Sequence, residues 1–217
     1  MKSKRFNHYI LTKYNTMPDA NGLLLYDKPG ADEWMKHRGE LFEETKKSVL
    51  EQEGGFQWVI SVDERTPKRF LDNIKTDDRI LLTTEDIRDV FLNGNITLEK
   101  SWVITSRLDN DDRYLPGAVL AIQSEFRKQI FVIDFDYQKL DLDSGETHPG
   151  VWRWANSPFL SICEPSERVM TAFCRTHGQV RSGYPSKHGR IGIAGKRIKK
   201  VYVQMVIHGD NITNAIG

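Results

Sequence analysis

The segment Trp102-Val-Ile-Thr-Ser-Arg-Leu-Asp-Asn-Asp-Asp112 constrains the fold of this chain more than any other. It opens as an apolar, β-branched run that reads as a buried strand, and it ends in three carboxylates within four residues. Carboxylates this close repel one another, so the strand has to end where solvent, hydrogen-bond donors or a cation compensates them. In an α/β protein the end of a strand is also where ligands bind. Arg107 stands just ahead of the cluster.

The flanking sequence repeats the pattern of short apolar runs closed by turns. His8–Thr12, Gln57–Val62 and Arg79–Thr83 read as strands. Between the first two, Trp34, Arg38, Leu41, Phe42, Val49 and Leu50 fall mostly on one face of a helix spanning 32–52, which Gly54-Gly55 ends. Shorter helices are expected at Phe70–Ile74 and Glu85–Leu92, and another from about Pro116 to Lys128. A strand follows at Gln129–Ile133, then an acidic, turn-rich stretch over 134–150, and a late strand Val201–Ile207 ending at His208. This alternation predicts an α/β fold with a Rossmann-type, mostly parallel central sheet flanked by helices. No repeat, low-complexity tract or linker divides the chain, so residues 1–217 are expected to form a single domain.

Lys+Arg and Asp+Glu nearly cancel, 31 against 30, which argues against a generally basic nucleic-acid binder. Charge is instead local: Arg175, Arg181, Lys187, Arg190, Lys196, Arg197, Lys199 and Lys200 lie together with His177 and His188, and no acidic residue interrupts them. Such a segment suits a phosphate or another anion, or it is a solvated loop. Cys163 and Cys174 lack the companions of a zinc site or a disulfide framework, which points to a reducing, cytoplasmic setting. The apolar run Tyr9–Leu11 after the basic N-terminus is too short for a signal peptide, and no run reaches the roughly 18 apolar residues of a membrane span.

Several constellations carry chemistry. In an extended segment Asp109 and Asp111 project to one side and Asp112 to the other. Two carboxylates on one side, completed by water and a diphosphate, suit Mg²⁺ or Mn²⁺. The alternative is a turn in which Asp112 caps the next helix. Asp63 closes the second strand, where it either accepts hydrogen bonds from a base or ribose or caps the turn before Pro67. His208 is a metal ligand or a surface turn histidine. In the stretch from Trp152 to Glu164, Trp152, Trp154 and Asn156 are candidates for acceptor binding and Glu164 for a general base; core packing with a helix start near Ser166 is the rival reading. A calcium loop starting at Asp109 fails at Arg113 and Tyr114, and the segment from Gly189 to Arg197 has the wrong spacing for a phosphate loop.

In order along the chain, Tyr9–Asn15, Trp34-x-x-x-Arg38-x-x-Leu41-Phe42, Phe56-Gln-Trp58 with Asp63 and Thr66-Pro67, Arg107-Leu-Asp-Asn-Asp-Asp112, Asn156–Ser161 with Glu164, and His208-Gly-Asp-Asn211 resemble the rhamnosyltransferase family of nucleotide-sugar enzymes, which have a GT-A-like fold. The resemblance implies that Asp109 and Asp111 form an Asp-x-Asp site for metal and diphosphate. It further implies that Asp63 lies near the nucleoside, that Thr12 and Arg107 belong to the donor site, and that His208 completes the metal shell. Two departures stand out: Lys13 replaces an arginine on the first strand, and Thr-Ser-Arg replaces Thr-Arg before the acidic string.

The expected activity is metal-dependent transfer of a sugar from a nucleoside-diphosphate sugar to a hydroxyl of a glycan, a lipid-linked acceptor or a modified nucleobase. Glu164, with Asp112 second, takes the acceptor proton in this reading, and basic side chains of 175–200 stabilise the leaving group. The rival is a non-catalytic nucleotide- or nucleic-acid-binding module built on that basic segment.

Overall fold

The computed structural model describes residues 5–18, 21–94, 96–150, 158–174, 179–186 and 189–208. Strands β1 (Asn7–Lys13), β2 (Gln57–Ser61), β3 (Ile80–Thr83) and β4 (Trp102–Arg107) pair in parallel in the order β3-β2-β1-β4. These are the runs the sequence predicts, and the interiors of β1, β2 and β4 are buried because both faces of this half are covered, while the edge strand β3 is half-buried. The strand order reverses between β1 and β4, so the carboxyl ends of those two strands flank a topological switch point, where open α/β sheets bind ligands.

Beyond β4 the sheet departs from the expected, mostly parallel arrangement. β8 (Ser161–Pro165) lies antiparallel between β4 and β6 (Phe131–Asp141). β11 (Ala194–Ile207) runs parallel to β6, and the two-residue β5 (Arg113–Tyr114) adds antiparallel to β11. The sheet is therefore mixed. The stretch read as turn-rich is instead the long end of β6 folded back onto β7 (Thr147–Pro149), with Gly145 supplying the positive φ of 71° that the turn needs. A separate ribbon pairs β9 (Tyr184–Ser186) with β10 (Gly189–Ile191).

Helical cover is sparse among the described residues. α1 (Ala31–Leu50) buries the stripe Met35, Arg38, Phe42, Thr45 and Val49, whose spacing of three and four keeps one face on the sheet. Phe42 packs edge-on against Tyr14 at 4.9 Å and tilted against Trp58 at 5.3 Å, at the centre of the largest core cluster. The presence of a guanidinium in that stripe means that an anion has to meet it within the fold. α2 (Lys68–Ile74) and α3 (Ala118–Ser124) are short. The helix expected at Glu85–Leu92 is a series of turns, and no helix starts at Ser166. Instead, Ile87, Val90, Phe91, Val169 and Phe173 cover the second sheet face with loop-borne side chains packed on Tyr9, Leu11, Val59 and Val103.

Candidate functional site

Residues 108–112 form a turn pinned from three directions at the end of β4. The Leu108 amide donates to the Leu11 carbonyl at 3.1 Å, and the Asn110 side-chain amide donates to the Tyr14 carbonyl. Thr45 of α1 donates to the Asn110 carbonyl at 3.2 Å, and the Val206 amide of β11 donates to Asp112 Oδ1 at 2.9 Å. Because the segment turns rather than extends, its carboxylates do not sort into two sides as expected. Each meets a different partner.

Asp111 is enclosed, and its Oδ2 accepts from Arg38 Nη1 at 2.5 Å and from His208 Nε2 at 2.9 Å. Burial pushes the Asp111 carboxyl up, but the His208 hydrogen bond and Arg38 outweigh it and hold the group below the usual carboxylate range. Asp109 is the open member, with 34% of its side chain exposed, and it lies 3.3 Å from Arg107. Asp112 is buried, and burial followed by repulsion from Asp111 and Asp109 raises its pKa well above the usual carboxylate value. It does not cap α3, whose N-cap is Gly117. Its carboxylate ties the turn to β11.

Asp109, Asp111 and His208 are the expected metal ligands. Among the described residues no group of three or more His, Cys, Asp or Glu side chains is disposed to hold an ion. His208 Nε2 lies 2.9 Å from Asp111 Oδ2 and 3.3 Å from Arg38 Nη1; the tautomer with its proton on Nε2 donates to the carboxylate. His208 is thus placed as a partner of Asp111 at the turn, where it orients the carboxylate. Asp109 and Asp111 remain. Two carboxylates completed by substrate phosphates and water are a donor set that suits Mg²⁺.

Next to the turn, three cations gather at the carboxyl ends of β1 and β4. Arg107 lies over the Phe173 ring at 4.7 Å and Lys13 approaches the same ring at 5.7 Å. Lys13 is 3.7 Å from Asp86, which Arg88 also grips. Burial lowers the Lys13 ammonium pKa, Asp86 opposes, and Arg88 and Arg107 add to the lowering. Lys13 and Arg88 belong to the wall of an open cavity of about 790 Å³, together with Ser61, Asp63, Arg65 and Glu85. Asp63 is paired there: Arg65 Nε and Nη2 reach its two oxygens at 2.9 and 2.7 Å, and Arg65 extends to Asp27 at 2.7 Å. The hydrogen bonds from the Arg65 side chain hold Asp63 below the usual carboxylate range despite its burial.

The remaining expected residues fall elsewhere. Thr12 is fully buried beneath the site; its hydroxyl donates to the Leu108 carbonyl at 2.8 Å and accepts from Trp58 Nε1 at 2.9 Å. It supports the turn from below instead of facing a donor. Glu164 pairs in register with Val103, four residues before the end of β4 and about 13 Å from it, and is fully buried. The structure does not bring Glu164, the expected base, to the acidic turn. Trp152, Trp154 and Asn156 lie outside the described residues, as do Arg175, His177, Lys187 and His188. Lys196, Arg197, Lys199 and Lys200 sit on the first half of β11, roughly 25–40 Å along the strand from His208 and at the opposite end of the sheet. Lys196 is paired with Glu125 at 2.6 Å and Arg197 with Asp134 at 3.0 Å. Among the described residues, Lys13, Arg88 and Arg107 join Arg38 near the turn.

In the sequence Arg38 stands out as a polar member of a helix face and of the Trp34-x-x-x-Arg38 pattern, and Lys13 as a departure from an arginine. Asp63/Arg65, Asp77/Arg79 and Asp86/Arg88 share one spacing, Asp-x-Arg, and each forms a two-pronged pair. That repeated spacing was the readable signal for Arg65 and Arg88.

No family model matches the sequence, and no curated protein matches it. Among solved structures it is similar to HddC from Yersinia pseudotuberculosis, with 11% identity and a TM-score of 0.41 over 90% of this chain and 92% of that one. The HddC structure complexed with GMP-PN gives 11% identity and a TM-score of 0.39 with the same coverage. Likeness at this level carries no argument about function.

Proposed function

We propose that this chain is a glycosyltransferase that moves a sugar from a nucleoside diphosphate to an acceptor hydroxyl. The observation that carries the reading is the pinned Asp109–Asp111 turn at the β1/β4 switch point, joined through Arg107 and Lys13 to the polar cavity at the ends of β1 and β2. A base and ribose suit the cavity, where Asp63 is held ionised by Arg65 and its neighbours supply polar contacts. The diphosphate then lies toward Lys13, Arg88 and Arg107, whose charge favours the anion that departs. Asp109 and Asp111 would hold a divalent cation, Mg²⁺ or Mn²⁺, which when bound offsets charge on the phosphates.

Arg38 and His208 fix the Asp111 carboxylate so that it needs no reorientation when donor arrives. Of the two carboxylates expected to take the acceptor proton, Asp112 is the one adjoining the turn, and it is the remaining candidate base. The acceptor is a hydroxyl compound, either a glycan, a lipid-linked sugar or a modified nucleobase. A non-catalytic nucleic-acid module is the weaker reading, because Lys196, Arg197, Lys199 and Lys200 lie at the far end of the strands and two of them are internally paired.

Thermal shift with UDP, dTDP and GDP, each with and without Mn²⁺, tests the proposal. Stabilisation by at least one diphosphate that Mn²⁺ strengthens, and that Asp109→Asn or Asp111→Asn removes, is the expected result. Indifference to every nucleotide, with salt-sensitive binding to polynucleotide, would overturn it.

A further inference from the structure

Glu164 is a fully buried carboxylate with an unusual set of partners. Oε1 accepts the Met170 amide at 2.9 Å and the Tyr184 hydroxyl, and Oε2 accepts the Thr171 amide at 3.1 Å. Both of its oxygens are thus committed to the connection that follows β8. Thr171, at the centre of that connection, is the one described non-glycine residue with positive φ, at 66°. A β-branched residue holds that conformation only where its surroundings over-determine it. From there the chain is stitched along β4: the Ala172 amide donates to Thr105 Oγ1 at 2.9 Å, and the Phe173 amide to Thr171 Oγ1 at 3.2 Å. Val103, Thr105 and Arg107 alternate onto one sheet face, so this stitching leads from Glu164 toward the end of β4. It ends with the Phe173 ring against Arg107 and Lys13.

We infer that Glu164 is a positioning residue for the anion-binding end of the sheet: by fixing the left-handed turn at Thr171 it sets Phe173 beneath Arg107 and Lys13. The ring holds two like charges side by side, where they would otherwise repel and swing into solvent. The inference rests on the donor-site reading in taking those cations as the seat of the diphosphate. Glu164 itself touches neither donor nor acceptor.

Inorganic pyrophosphate is the probe, titrated calorimetrically into the full chain alongside amide hydrogen exchange of residues 170–173. Glu164→Gln should keep its circular dichroism spectrum yet bind pyrophosphate about fivefold more weakly, the scale of one cation–ring contact. Phe173→Ala should show the same loss, and the double variant should be no weaker than the weaker single, because both act through one ring. A folded Glu164→Gln with unchanged affinity, or single losses that multiply in the double variant, overturns the inference. If Glu164→Gln does not fold, Tyr184→Phe, which removes one donor and keeps the carboxylate, is held to the same two outcomes. If the unaltered chain binds no pyrophosphate, the donor-site reading fails and exchange decides the clamp. Faster exchange extending through Ala172 and Phe173 supports it; faster exchange confined to Met170 and Thr171 overturns it.

Discussion

His208 Nε2 and Asp111 Oδ2 stand 2.9 Å apart, although 97 positions separate them in the sequence. Arg38 reaches the same oxygen from α1, so the last strand, the first long helix and the acidic turn converge on one carboxylate atom. A buried carboxylate in such a frame is oriented before any ligand arrives, and the frame itself can be tested.

Arg38 and Asp111 each expose only 11% of their side chains, so removing the cation leaves a buried anion without its guanidinium partner. Arg38→Met should therefore destabilise the fold by about 3 kcal/mol in urea denaturation. Adding Asp111→Asn to that variant should recover most of the loss. A double variant as unstable as the single would mean that Arg38 acts through packing alone.

His208→Gln separates an orienting role from ligation. An outer partner of a metal-binding carboxylate changes ion affinity about tenfold, whereas loss of a direct ligand does far more. Mn²⁺ affinity in the presence of a nucleoside diphosphate, measured by calorimetry, should fall by about that factor. Complete loss of ion binding would return His208 to the ligand set.

Thr12→Val keeps shape and removes the hydroxyl on which Trp58 Nε1 and the Leu108 carbonyl both depend. The cost should be about 2 kcal/mol, the penalty for buried polar groups left unpaired. Nucleotide affinity of the folded variant should change little, since the hydroxyl lies beneath the turn. A large loss of affinity at wild-type stability would restore Thr12 as a donor contact.

Glu164 gives a pH signature with a definite sign. Burial pushes its carboxyl up to about 7, against the opposing hydrogen bonds from Tyr184, Met170 and Thr171. Between the ordinary glutamate pKa and about 7 the unfolded chain releases this proton while the folded chain keeps it, so the contribution to stability is full at acid pH and is lost as pH rises. The stability of the wild type minus that of Glu164→Gln should fall by about 3 kcal/mol between pH 4.5 and 7. A difference that grows with pH would mean that the three donors dominate over burial.

The sequence was most legible where local pattern and fold agree. β1 to β4 are short β-branched runs bounded by turn residues, and α1 carries a clear buried stripe. Local pattern and fold part company where tertiary partners decide. Glu85–Leu92 has helical spacing, yet it packs Ile87 and Val90 on the sheet as turns. β8 inserts antiparallel between two strands that precede it in the chain, a pairing that periodicity does not reveal. Asp109 and Asp111 were visible because three acids in four residues demand compensation. Arg38 falls on the apolar helix face in the sequence, but its pairing with Asp111 is not legible there, because 73 positions separate the two. Glu164 looked like a base by its neighbours in sequence; its register opposite Val103 is a long-range fact.

The most direct test of the central claim is a screen of nucleotide sugars with Mn²⁺ and a panel of hydroxyl acceptors, scored by release of nucleoside diphosphate. The account predicts release from one class of donor, abolished in Asp111→Asn with its circular dichroism spectrum unchanged. Full release by Asp111→Asn in excess EDTA would contradict it.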